Sequence, residues 1–321
     1  MRPILMTSNI THMAKQYAET VFTTRINTFV RPRIKLQALS TALGRKRTLS
    51  RDYKNYVDRI LEKLDLLYRI KPDFFHRFHV KYFSGFNVNL AKVIKVGDKN
   101  QAFYKHISEA MRYDAVRDKE FLPYVKKLKI KSCVYCNASY ALSINQAGDD
   151  YGKFELDHYK PQSRFPYLCT NFYNLTPSCS NCNKYKLKAD SEFCLYVNNY
   201  SDLDQFEFKL DKRSIIKYML HRNPEDLKIT FHAHNHHGHE KLFKINATYY
   251  VLKDIAEEII WKSKIYNSSY LKSIQDAFNR KFLGGNFYRF LLGNYDKPEE
   301  THNRPLSKMS QDLARQLGII E

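Results

Sequence analysis

Between residues 50 and 125, apolar positions recur with helical spacing. In "YVDRILEKLDLLYRI", Val57, Ile60, Leu61, Leu64 and Leu67 fall at i, i+3, i+4 and i+7, the stripe of an amphipathic helix. The stretch "QAFYKHISEAMRYDAVRDKEFLPYVKKL" predicts further helix. After residue 200 the period shortens. "FEFKL" (206–210) and "LKITFHA" (227–233) alternate as strands do, and "KLFKIN" (241–246) is placed to pair with the second across a "HNHHGH" turn. "YVLKDIAEEIIWKSKIYNSSYLKSIQDAF" predicts one long helix or two, with Leu252, Ile255, Ile259, Tyr266, Tyr270 and Ile274 on its apolar side. "LSKMSQDLARQLGII" predicts a final helix, N-capped by Ser307 or Ser310. These stripes face a core and carry no chemistry. Residues 1 to about 50, with "RPRIKL" and "GRKRTLSR", show little pattern and read as a basic arm or a solvated leader. In 126–200 neither period holds, and cysteines, asparagines and turn formers cluster. The chain therefore divides into a helical region 1–125, a cysteine-bearing region 126–200, and a region 201–321 of paired strands followed by helices.

Composition narrows the class. The chain has 321 residues, 43% of them hydrophobic, enough for a real core. Its net charge is +20, from 53 basic against 33 acidic residues, which predicts a polyanionic partner. No signal-peptide core and no membrane-spanning apolar run is present. The expectation is a cytoplasmic protein with no membrane partner, in which six cysteines stay reduced or bind metal.

"CVYC" supplies Cys133 and Cys136, and "CSNC" supplies Cys179 and Cys182. Two C-x-x-C hooks have the spacing of a tetrahedral zinc site, and four thiolates close its shell, so that zinc is structural. Cys169 and Cys194 lack such spacing and read as small buried hydrophobes. Between the hooks, "FELDHYKP" places the carboxylate of Asp157 beside the imidazole of His158. Neighbours on a strand point to opposite faces. A bend helped by Pro161 is therefore needed to bring both to one site. Asn183 is expected early in a helix capped near Ser178 or Ser180. The frame would then bring an acid and an amide oxygen together, hard donors that suit Mg²⁺ or Mn²⁺.

C-x-x-C, D-H-x-x-P, then N-L-x-x-x-C-x-x-C-N and a lysine resembles the HNH nucleases of the His-Me finger (ββα-metal) superfamily, over roughly residues 133–188. The closest likeness is to the branch braced by a four-cysteine zinc, as in phage junction-resolving endonucleases. The resemblance implies an α+β, mainly helical chain, with a ββα-metal finger inserted between a helical N-terminal and an α/β C-terminal region. It implies His158 as general base, Asp157 and Asn183 as ligands of a catalytic divalent ion, and Asn174 as a brace across the loop. Asn183 stands where many members have a third histidine. Lys160, Lys184 and Lys186 are candidate nucleic-acid contacts, Lys186 reaching a phosphate or lying as a plain surface lysine. The implied activity is endonucleolytic hydrolysis of DNA. The tail "LGNYDKPEETHNRPLSKMSQDLARQLG" further resembles HNH proteins of anti-phage defence, among them the Septu-type nucleases, which work with an ATPase partner. Two alternatives stay open: a zinc-braced nucleic-acid-binding protein without catalysis, and an RNase. In "FHAHNHHGHE", alternation puts His232, His234 and His236 on one strand face, which would suit a metal; a polar hairpin tip is the simpler reading of His232–His239.

Overall fold

A computed structural model describes residues 1–24, 31–187, 189, 191–236, 238–277 and 286–320. Among the described residues the sheets are two-stranded and most elements are helices, so the class is α+β, mainly helical. Among the described residues, no helix is long and apolar enough to cross a membrane.

The first fifty residues are not an arm. Strand β1 (Ile4–Leu5) pairs in parallel with a strand far along the chain, Tyr196–Val197. Helix α1 (Ser8–Glu19) is capped by Thr7 and buries Ile10, Met13, Ala14, Tyr17 and Ala18. That spacing is a helical stripe, diluted in the sequence by basic neighbours. Tyr17 donates to the Thr170 carbonyl at 3.0 Å. Helix α2 (Pro32–Gly44) begins on proline, whose missing N–H costs nothing at a helix start. Residues 25–30 of this stretch lie outside the described set.

Helix α3 (Arg51–Leu67) follows its predicted stripe: Val57, Ile60, Leu64 and Leu67 are buried, while Leu61 is half-buried. Helix α4 (Phe75–Tyr82) comes next, then an antiparallel hairpin of β2 (Val93–Val96) and β3 (Lys99–Ala102) that the sequence reading missed. The helix expected after it is broken into α5 (Phe103–Ala110), α6 (Tyr113–Ala115) and α7 (Leu122–Lys127). Arg112 adopts a left-handed φ of 65° before α6, and Pro123 stands in the first turn of α7. Both interrupt the ladder of i to i−4 bonds.

In the middle region, β4 (Leu142–Gln146) pairs with β5 (Asp149–Lys153), and β6 (Glu155–His158) pairs with β7 (Leu175–Ser178), which leads into α8 (Ser180–Lys186). Strand β8 (Tyr196–Val197) is the partner of β1. Beyond it, β9 (Phe206–Leu210) is followed by α9 (Lys212–His221) and pairs with β10 (Ile229–Ala233), the two alternating segments joined to each other. "KLFKIN" is not a strand. It falls in α10 (Gly238–Phe243) and α11 (Ile245–Tyr250), which bury His239 with Phe243 and Ile245 with Tyr249, both pairs four apart.

The following stretch forms two helices, α12 (Lys253–Ile265) and α13 (Ser268–Ala277), and its last residue, Phe278, is outside the described set. Ile259 is buried with Ala256 and Ile260, Leu252 and Ile255 are half-buried, and Tyr270 is exposed. The apolar face is thus rotated from the expected one. After α14 (Phe287–Leu292), helix α15 (Ser307–Gln316) is entered from Leu306 in a left-handed conformation, without a serine cap. Ser307 Oγ donates instead to Asn294 Oδ1 at 2.6 Å. Asp312 and Gln316 of α15 accept from the backbone N–H groups of Phe208 and Leu210 on β9, at 2.9 and 2.8 Å.

Two buried histidines tie the fold to pH. His302 Nε2 donates to the Arg2 carbonyl and His239 Nε2 to the Tyr135 carbonyl, and burial pulls both rings down to about 3. Unfolded, each would titrate near 6.5. Between those values the unfolded chain binds more protons, so the stabilisation is full above about pH 6.5 and is lost as pH falls toward 3. The unfolding free energy from urea titration should drop by roughly 1–2 kcal/mol per histidine between pH 7.5 and 5, and His302→Gln should flatten that slope. A flat profile for the parent chain would contradict the burial of neutral rings.

Candidate metal centre and imidazole site

The two hooks converge. The sulfurs of Cys133, Cys136, Cys179 and Cys182 lie within 4.8 Å of one another, all but Cys179 buried. Four thiolates about 2.3 Å from one ion sit roughly 3.8 Å apart, so the donor set is compatible with a metal such as zinc. The thiols push each other in opposite directions. Burial drives Cys133 up and its sulfur neighbours drive Cys182 up, while bonding to Cys133 holds Cys136 and Cys179 down. Without a cation, protons must neutralise the cluster.

Backbone groups shape the hooks. Ala138 N–H donates to Cys136 Sγ at 3.4 Å, and Cys182 N–H to Cys179 Sγ at 3.5 Å. Cys179 is therefore the N-cap of α8, the role expected of Ser178 or Ser180. In the first hook, Asn137 takes a left-handed φ of 51°, which asparagine tolerates well. Its side chain donates to the Thr301 carbonyl at 2.9 Å and accepts from Lys308 N–H at 2.9 Å. The hook is thereby tied to the start of α15. The sequence held a signal for this, because each hook is followed by asparagine, Asn137 and Asn183. Of the other two cysteines, Cys169 is buried and Cys194 half-buried, and burial pushes both thiols up to about 12.

Beside the hooks, β6, β7 and α8 run strand, strand, helix. Asp157 pairs with Thr176 and His158 with Leu175, so both lie on regular strand. The bend expected at the pair comes after it, at Tyr159 and Lys160. The two side chains accordingly have different partners. His158 is 5% exposed, and its Nε2 meets the Cys169 carbonyl at 3.0 Å. A carbonyl only accepts, so the proton sits on Nε2 and Nδ1 carries the lone pair. The Tyr113 ring lies 4.6 Å from the imidazole. Burial lowers His158 to about 4, against the pull of Asp157, so the ring is neutral at pH 7.

Asp157 is also 5% exposed. Its Oδ2 accepts from Tyr135 Oη at 2.6 Å and faces Lys186 Nζ at 3.1 Å. The same ammonium donates to the His158 carbonyl at 2.5 Å. Lys186 is thus no surface lysine: it is 1% exposed and links both members of the Asp-His pair. It lies one helical turn beyond Asn183, on the face of α8 toward β6, a position that helical spacing alone supplies. Lys184 is exposed and Lys160 half-buried.

Asn174 clasps the long β6–β7 connection. Its Oδ1 accepts from Lys160 N–H at 2.7 Å, and its Nδ2 donates to the carbonyls of Lys160 and Leu168 at 3.2 and 3.0 Å. The Asn174 carbonyl also accepts from Tyr159 N–H at 2.8 Å. The turn that follows His158 is therefore held from the other end of the connection. Asn183 is half-buried on α8. For a divalent ion, Asp157 and Asn183 fit in donor type. Every bond described for the carboxylate falls on Oδ2, and Oδ1 takes part in none of them.

The histidine cluster does not gather. His232 Nε2 meets Thr230 Oγ1 at 3.0 Å, His234 lies 3.9 Å from Glu207, His236 lies 3.8 Å from Glu192, and His239 turns inward. His237 is outside the described residues. Among the described residues, the four cysteines form the one group with metal-ligand geometry.

No family model matches the chain, and no solved structure matches it. A curated relative does. The Septu protein PtuB of Bacillus thuringiensis is 33% identical over 93 residues, covering 27% of this chain and 33% of that protein. The matched part thus spans about a third of the relative's length.

Proposed function

We propose that the chain is a phosphodiester-cleaving endonuclease of the HNH type, acting on DNA in anti-phage defence. The observation that carries this reading is the state of His158: neutral, its Nε2–H fixed on a carbonyl and its Nδ1 left with a lone pair, on a strand–strand–helix unit beside a four-cysteine site. A base poised in this way takes a proton from water. In the reaction, the water oxygen attacks phosphorus, its proton passes to His158 Nδ1, the bond from phosphorus to the 3′-oxygen breaks, and that oxygen takes a proton from solvent. The products carry 5′-phosphate and 3′-hydroxyl ends. Asp157 Oδ1 and Asn183 would hold Mg²⁺ or Mn²⁺, which supplies charge stabilisation at the phosphate when bound. Lys186 balances the Asp157 charge and Asn174 keeps the turn after His158 in place. The partial match to PtuB supports the defence setting; an ATPase partner is what the resemblance to Septu-type nucleases implies.

One observation favours the rival reading, a zinc-braced binding protein without catalysis: the carboxylate is already neutralised by a buried ammonium. Plasmid nicking and RNA cleavage, each with Mg²⁺, Mn²⁺ or EDTA, separate the readings. His158→Ala should lower metal-dependent cleavage about 10²- to 10⁴-fold, the usual value of a general base, with zinc content unchanged. Cleavage at the parent rate would remove His158 from the mechanism. No cleavage of DNA or RNA by the parent chain, alone or with an ATPase encoded beside it, would leave the binding protein.

A further inference from the structure

A groove of about 390 Å³ runs between the end of α3 and the outer side of α4. Its lining is apolar or cationic, with no carboxylate. Phe74 and Leu66 present apolar surface, 49% and 48% exposed, and Arg69, Lys71, Arg77 and Lys81 rim it. None of those four cations is in an ion pair with a described residue. Phe75, the residue after Phe74, is buried, and its ring centroid lies 6.4 Å from that of Tyr159, the residue that follows His158. The segment that lines the groove thus packs against the residue next to the candidate base.

Cations without counter-charges call for a polyanion, and an exposed aromatic ring with an apolar floor calls for something flat and apolar. Duplex nucleic acid offers phosphates but keeps its bases stacked inside. A single strand offers both, bases for the floor and phosphates for the rim. We propose that this groove binds single-stranded nucleic acid, with a base on Phe74 and phosphates on Arg69, Lys71, Arg77 and Lys81, and so leads unpaired strand toward His158. The second half rests on the nuclease reading; the binding itself does not.

The test uses the full chain carrying His158→Ala, so that the probe survives. Fluorescence anisotropy reads a labelled oligothymidylate of about twenty nucleotides, the matching duplex, and an acidic Leu-Glu peptide. The oligothymidylate should bind more tightly than the duplex. Phe74→Ala should weaken it about 5- to 100-fold, the worth of one stacked base. The pair Arg77→Glu and Lys81→Glu should weaken it at least about tenfold and flatten the logarithmic salt slope by roughly 1.4, two phosphate contacts on a single strand. Lys212→Glu with Arg213→Glu on α9, an equal change in net charge, should leave binding unchanged.

Equal losses from both charge pairs would reduce the groove to bulk electrostatics and overturn the proposal. So would binding indifferent to Phe74, duplex preferred over single strand, or uptake of the acidic peptide alone. Groove-dependent binding by this variant, together with a parent chain that cuts neither DNA nor RNA, would sustain the groove and sink the nuclease reading.

Discussion

Stripping the metal from the four-cysteine site, or replacing Cys136 by serine, is expected to unfold the central and C-terminal parts of the chain together. Four sulfurs within 4.8 Å, three of them buried, cannot all be thiolates unless a cation shares their charge. Structural zinc sites supply about 10–16 kcal/mol of apparent binding free energy, as much as the whole stability of an ordinary domain. Loss would not stay local. Tyr249 donates to the Cys136 carbonyl at 2.8 Å, His239 to the Tyr135 carbonyl at 2.8 Å, and Asn137 bonds Thr301 and Lys308. Each contact holds a different C-terminal element to the first hook. The measurement is zinc content per chain beside a thermal melt with and without chelator. A zinc-free chain that melts where the loaded chain melts would refute the structural role.

Lys186→Met is expected to cost about 3–5 kcal/mol, because it leaves a buried carboxylate with no counter-charge. The lysine side chain is 0% exposed and that of Asp157 6%, so water cannot compensate. Tyr135 would still donate to Asp157, yet one neutral hydroxyl does not offset a desolvated charge. The double variant Lys186→Met with Asp157→Asn should recover much of the loss, since the charge is gone with its partner. Urea unfolding of the two single variants and the double variant gives the coupling directly. If Lys186→Met unfolds at the parent midpoint, the pair is not formed in solution.

The cysteine frame was legible because its chemistry is local: two short hooks announce their ligands by spacing alone. The Asp-His pair stands out in the sequence for the same reason, but its surroundings do not. Lys186 and Tyr135 reach Asp157 across 29 and 22 positions, and no local pattern announces such a meeting. The N-terminal error has the same origin. Ile4 and Leu5 find their partners at Tyr196 and Val197, so a stretch that looks unpatterned by itself is structured by distant chain. "KLFKIN" failed differently. Phe243 and Ile245 alternate there, but Leu242 sits next to Phe243, and burial follows His239 with Phe243 and Ile245 with Tyr249, the helical pairing. At Arg112 and Leu306, positive φ angles moved helix starts where no glycine gave warning.

The side chains of α15 that reach β9 have a consequence for solution behaviour. A ribbon of two strands ordinarily offers a free margin along which another chain can add. Here Asp312 and Gln316 occupy the outward N–H groups of β9, and Asn246 takes that of Phe231 on β10 at 3.1 Å. Both margins are fenced by helices, so this small sheet offers no template for self-association at those positions. It also cannot slide by one residue, since a slip would break every fence post at once.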